Sequence, residues 1–409
     1  MNKIEKIVFQ NDQWHTGKFK TFGFKRDIFE KVWRDLNTKL IALITGPRRV
    51  GKSVLLKQIA NELIVSKKVS PKQILFYEFA QKDNGDTIWN VFNYFIKEIA
   101  DPRLPIFIFF DEIQYVNGYE SMIKMIYDNK DSCKIFITGS LSLSYKKRMS
   151  ESLTGRFFSY KLFPLNFLEF IKLNKPSSLD IYYKAIKEED RFRREYQLSI
   201  LNADFREFLV SGRYPEAFGL SSEQNKTYLL NIINQSLNED AYAYFRIEKP
   251  SIMNSLFEYI RQNNGGLLSI NKLSSLTGSS NKTISTYLDI LELMGITYIV
   301  YNSTNPLIKN QSSKKAYINS SFAFDNTKLD MSTAFGFAVE SYILERLLEK
   351  GEIVTFWRKR EKEIDFLIPK KKIGYEVKFR IDVPTLKYTI KDFDIELISL
   401  NGKTPACLF

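Results

Sequence analysis

The chain has 409 residues, 44% of them hydrophobic and 14% aromatic, which is enough for about three packed domains and excludes a disordered chain. One histidine, His15, and two cysteines, Cys133 and Cys407, exclude catalytic histidine pairs, a disulfide framework and a thiolate zinc site. No apolar run approaches the roughly 20 residues of a membrane helix and the first residues are too polar for a secretory leader, so we expect a cytoplasmic chain with no membrane partner, whose +13 charge suits a polyanion, nucleic acid first.

"LIALITGPRRVGKSVLLKQIANELI" begins as a short apolar strand, turns through glycines and continues as a helix with Leu55, Leu56, Ile59 and Leu63 on its buried side. Gly46, Pro47, Arg48, Arg49, Val50, Gly51, Lys52 and Ser53, followed by Val54, fit G-x-x-x-x-G-K-[ST] between a strand and a helix. Backbone N–H groups of such a loop curl around phosphate oxygens, and the helix N-terminus adds a favourable field. Lys52 is expected to neutralise the β- and γ-phosphates of ATP, and Ser53 to ligate Mg²⁺.

"IFIFFDEIQ" reads as a buried strand that delivers Asp111 and Glu112 to its C-terminal end, where α/β sheets bind ligands. Asp111 is expected to hold the Mg²⁺ ion and Glu112 to act as general base on the attacking water. "KIFITGS" is a further buried strand, with Thr138 inside it and Ser140 at its end as a candidate for positioning that water. Arg156 in "LTGRF" is a candidate arginine finger, in cis or from a neighbouring copy, or else an ordinary structural arginine. Helical patterns separate these strands, so residues 1–170 read as an α/β layer with a parallel sheet.

Charged helical sequence follows over 171–250, interrupted by "SGRYPEAF". Residues 251–305 read as three helices with a Gly-containing turn and then an apolar strand, the spacing of a helix-turn-helix with a wing. The helix "NKTISTYLDILELMG" opens with short polar residues and Lys282, which suit either DNA contact or simple capping.

In "EIDFLIPKKKIGYEVK", period-two alternation puts Asp365 on one strand, and Glu376 and Lys378 on the next, toward a common face. Glu340 lies on an upstream amphipathic helix. Asp365 and Glu376 are candidate ligands for a second Mg²⁺, with Lys378 orienting or deprotonating water; the bland alternative is a cross-strand charge pair. This D…E-x-K arrangement resembles PD-(D/E)xK nucleases, including their helix-borne acid.

"LITGPRRVGKSVLLKQI", "IFIFFDEIQ", "IFITGSLSLS", "LTGRFFSYKLFPLNFLEF" and "FLVSGRYPEAF" together resemble the prokaryotic and archaeal AAA-type ATPases with a C-terminal DUF4143 region. The chain departs from that pattern at Arg213, where the family has a small residue, and in "AYINSSFAFD". The expected fold class is α/β: a P-loop AAA-type ATPase with a parallel sheet over 1–170, a helical lid or linker over 171–250, a winged helix over 251–305 and a small α/β nuclease-like domain over 306–409. The expected activity is ATP hydrolysis coupled to nucleic acid, DNA ahead of RNA, with homo-oligomers in view; the alternative is a nucleotide-gated switch that binds protein or DNA without cleavage.

Overall fold

The computed structural model describes residues 3–130, 132–139, 153, 155–211, 213–245, 247–303, 313–325, 329–360, 362–378, 387–390, 393–400 and 404–409. The chain divides into two compact units, Met1–Leu162 and Phe163–Phe409.

The first unit is built on five strands: β1 (Ile41–Thr45), β2 (Ile74–Glu78), β3 (Ile106–Asp111), β4 (Cys133–Gly139) and β5 (Phe157–Lys161). They run parallel in the order β2-β3-β4-β1-β5. Near-continuous apolar runs make β1, β3 and β4, whose side chains are almost all buried, as a parallel sheet covered on both faces requires, whereas the edge strand β5 is partly exposed. Phe109 and Phe136 stack face to face on neighbouring strands, with ring centres 4.5 Å apart. Helix α1 (Lys52–Ser66) leaves the C-terminal end of β1 and buries Leu55, Leu56, Ile59, Ala60 and Leu63. The strand order places β4 between the strand that feeds the glycine-rich turn and the strand that ends in Asp111. Two functional strand ends are therefore bridged by a third.

The second unit opens with helices over Phe167–Asn174, Leu179–Lys187, Arg191–Val210 and Ser222–Asn234. Helix α2 (Pro250–Gln262), β6 (Gly266–Leu268), α3 (Ile270–Thr277), α4 (Asn281–Leu293), β7 (Thr297–Asn302) and β8 (Lys314–Ile318) come next. The long helix α5 (Met331–Glu349) precedes β9 (Thr355–Lys359), β10 (Lys362–Ile368), β11 (Ile373–Val377), β12 (Lys387–Ile390), β13 (Phe393–Ser399) and β14 (Thr404–Pro405). These strands form one mixed sheet, β12-β13-β11-β10-β9-β7-β8-β6, with β14 paired parallel to the C-terminal end of β13. The sequence reading sets a boundary at 305, yet strands from both sides of it pair: β7 runs parallel to β9, with Tyr301 opposite Thr355. Among the described residues no helix is long and apolar enough to cross a membrane.

Candidate functional site

The turn after β1 is shaped by its glycines. A Cβ on Gly46 would stand 2.2 Å from the Leu162 carbonyl oxygen, so only glycine fits there. Gly51, at φ +99°, holds the left-handed conformation from which α1 starts, and Arg49 adopts it too, at φ 59°. Lys52 is buried at the first turn of α1. Its ammonium donates to the carbonyls of Gly46 at 3.2 Å and Pro47 at 3.0 Å, and lies 3.8 Å from Glu112 Oε1. Arg26 donates to the Val50 carbonyl at 3.2 Å, and Arg48 to the Tyr115 hydroxyl at 3.3 Å. Ser53 and Val54, both half-buried, complete the first turn.

Asp111 ends β3 fully buried. The Thr138 hydroxyl on β4 donates to Asp111 Oδ1 and accepts from the Glu112 backbone N–H at 3.1 Å. Glu112 leaves the strand in a left-handed conformation, φ 53°, and its carboxylate accepts from Gln114. Burial and the neighbouring Glu112 carboxylate push the Asp111 carboxyl up to about 6. Its second oxygen, Oδ2, is buried with no hydrogen-bond partner of ordinary geometry, while Ser53 is near enough to stabilise its charge. An orphaned carboxylate oxygen beside a hydroxyl, at the end of a phosphate-type loop, fits an octahedral hard cation that keeps most of its waters.

Lys52, Ser53, Asp111 and Glu112 thus share the C-terminal edge of the sheet. Ser140 lies outside the described residues. Thr138 lies on β4, two residues earlier in the sequence, and the period-two pattern that points to Ser140 points to Thr138 as well. Arg156 falls elsewhere: Phe157, the next residue, pairs with Ile41, so Arg156 sits at the opposite end of the sheet, roughly 16 Å of strand from the loop. There it bonds Asp128 at 3.2 Å and covers the Tyr127 ring. A finger acting in cis is closed to it by that register.

In the second unit, Asp365 accepts from the Val377 N–H at 2.9 Å through Oδ2, and its Oδ1 lies 3.7 Å from the ammonium of Lys315. Lys315, only 2% exposed on β8, also pairs with Glu363, which in turn meets Arg358 at 3.3 Å. Glu376 pairs with Lys378 at 3.1 Å. Glu340 on α5 packs against the backbone of Gly265, where a Cβ would stand 2.9 Å from its Oε1. Burial and the Asp365 charge push the Glu340 carboxyl up to about 8. The hairpin register brings these residues into one neighbourhood, but not as an open metal site. Among the described residues no three carboxylate, histidine or cysteine side chains are grouped to hold an ion. The expected pair of Asp365 and Glu376 does not fit Mg²⁺, because a backbone N–H and ammonium groups already answer both acids. Lys315, which the sequence reading did not single out, lies about 50 residues upstream of the E-x-K strands, and no local pattern marks it.

Helix α4 carries Ile284, Tyr287, Leu288, Ile290 and Leu291 on its buried face. Its polar start is partly used at home. Ser280 accepts from the Thr283 N–H at 3.1 Å, Asn281 donates to Asn271 at 2.9 Å and Thr286 donates to the Lys282 carbonyl at 3.0 Å. Lys282 is exposed at the same end.

Residues 38–171 match the family model described as an AAA domain. Residues 202–322 match one described as a domain of unknown function, DUF8612, in place of the DUF4143 region that the motifs resemble. Similar proteins include an uncharacterized protein of Haemophilus influenzae, 23% identical over 85% of this chain and 84% of that one. An uncharacterized protein of Methanocaldococcus jannaschii is 26% identical over 82% of this chain and 74% of that one. Among solved structures, a Walker-type ATPase of Pyrococcus abyssi covers 72% of this chain and 93% of its own, at 16% identity and a TM-score of 0.43. The ORC2 protein of Aeropyrum pernix, in its ADP form, covers 83% of this chain and 98% of its own, at 11% identity and a TM-score of 0.37. The first unit has an α/β P-loop fold, and the AAA-domain match begins within it.

Proposed function

We propose that the chain hydrolyses ATP with Mg²⁺ in the first unit and uses the released free energy to act on nucleic acid, DNA ahead of RNA, through the second. The observation that carries the nucleotide half is the convergence of Lys52, Asp111, Glu112 and Thr138 on one sheet edge. Lys52 exchanges the carbonyls of Gly46 and Pro47 for phosphate oxygens as nucleotide enters. Ser53 and Asp111 would hold a magnesium ion, which would supply positive charge against the β- and γ-phosphates. Glu112 then takes a proton from the water that attacks the γ-phosphorus, and the bond to the ADP oxygen breaks. Thr138 fixes the Asp111 carboxylate and the turn at Glu112, so the acid that holds the metal and the acid that takes the proton keep a constant spacing.

The nucleic-acid half draws on the +13 charge and on Lys282 at the exposed start of α4. The test is phosphate release by wild-type protein and Lys52→Ala, each with and without duplex DNA, single-stranded DNA and RNA. Lys52→Ala is expected to abolish release with its unfolding transition intact. Turnover indifferent to every nucleic acid would remove the coupling while leaving the ATPase reading in place.

A second reading, a nucleotide-gated switch that assembles through protein contacts, is favoured by the local use of Ser280, Asn281 and Thr286 in capping α4. Light scattering with a nonhydrolysable ATP analogue separates the two: assembly without DNA affinity favours the switch.

A further inference from the structure

The acidic pocket of the second unit contains a cation that the chain itself supplies. Lys315 stands on β8, between β7 and β6, with Val300 opposite it on one side and Leu267 on the other. Both neighbours belong to strands paired with β8, so its backbone is held from both sides. Its side chain is 2% exposed, and the ammonium lies 5.4 Å from the centre of the Phe356 ring. It contacts Glu363 directly and Asp365 Oδ1 at 3.7 Å. The remaining acids are also answered: Glu363 by Arg358, Glu376 by Lys378, and Asp365 Oδ2 by the Val377 N–H. Gly265 closes over Glu340 so tightly that any side chain there would collide with the carboxylate.

We propose that Lys315 takes the place of a divalent cation in this pocket, which is therefore a closed ionic core joining β8 to β10 and not a centre for metal-dependent phosphodiester cleavage. A metal ion seated among the same carboxylates would face the Lys315 ammonium a few ångströms away, and the like charges would repel. A buried lysine in that position pays a desolvation cost, which its contacts with Glu363 and Asp365 offset. Removing it takes from Asp365 its nearest cation and leaves Glu363 with Arg358 alone, and breaking a pair that includes a buried charge is destabilising. The proposal concerns the second unit alone and stands whether or not the first unit hydrolyses ATP.

The experiment uses the full chain without nucleotide. Mn²⁺ uptake is measured by calorimetry for wild type and Asp365→Asn, and thermal unfolding for wild type, Lys315→Met, Asp365→Asn and the double variant. Equal Mn²⁺ uptake by wild type and Asp365→Asn is expected, since any weak uptake near Asp111 is common to both. Lys315→Met is expected to lower the midpoint by roughly 10 °C, and the double variant to recover a clear part of that loss. Mn²⁺ uptake that Asp365→Asn abolishes would overturn the proposal. So would a Lys315→Met protein as stable as wild type. Should Lys315→Met not fold, the comparison of wild type with Asp365→Asn decides alone.

Discussion

Asp111 is held where its charge is costly. Burial and the neighbouring Glu112 carboxylate disfavour the anion and push its carboxyl up to about 6, well above the ordinary aspartate range. The folded state therefore binds a proton more tightly than the unfolded state. The stabilisation this brings is complete below pH 4 or so and is lost as pH rises through about 6. Asp111→Asn keeps the bond from Thr138 and removes the charge. It is expected to raise the stability of the nucleotide-free protein at pH 8 by about 3 kcal/mol, with the difference shrinking toward pH 4, as urea unfolding at the two values would show. Hydrolysis should be lost in the same variant. Thr138→Val is the complementary change: it keeps the volume and deletes the link between Asp111 and Glu112. A fall of roughly 100-fold in kcat with little change in KM is expected, and steady-state kinetics would reveal it; an unchanged kcat would make Thr138 a packing residue only.

The same logic applies to elements. Arg213 and "AYINSSFAFD" are the two departures from the family pattern, and in the structure they meet. Arg213, fully buried at φ 61°, donates to the Leu165 carbonyl at 2.8 Å and bonds both Ser320 and Glu345. Ser320 donates its N–H and hydroxyl to the same Glu345 carboxylate at 2.9 and 3.0 Å. The turn after Arg191–Val210, the segment after β8 and helix α5 are thus tied by one ionic knot. Arg213→Met should cost about 3–5 kcal/mol by stranding Glu345, and pairing it with Glu345→Met should return much of that loss in a denaturant double-mutant cycle. Neither departure signals its partner in sequence, since 107 and 132 residues separate Arg213 from Ser320 and Glu345. Local signals were legible: the buried strands, the glycine-rich turn and the buried face of α1 follow from period and composition over short windows. Long-range ones were not. The continuous sheet that joins β7 to β9 across residue 305, the register that takes Arg156 away from the loop, and Lys315 among the acids all depend on which distant strands pair, which no short window encodes.

At the scale of the molecule, the question is whether nucleotide in one unit changes what the other binds. Because α4, β8 and the strands that follow belong to one compact unit, built on a single sheet, the second unit is expected to respond as a body and not as a loose tail. Coupling of that kind is a free energy shared by both ligands, so each must alter the affinity of the other by the same factor. The measurement is the affinity for a short duplex with and without a nonhydrolysable ATP analogue, and the converse. Equal ratios of about 5 or more in the two directions are expected. Both affinities for DNA should fall steeply with salt, since phosphate contacts release counterions, whereas the ratio itself should hold if it reports a change of state. Ratios of one in both directions would mean that the units bind independently, and the ATPase would then serve some partner other than the duplex.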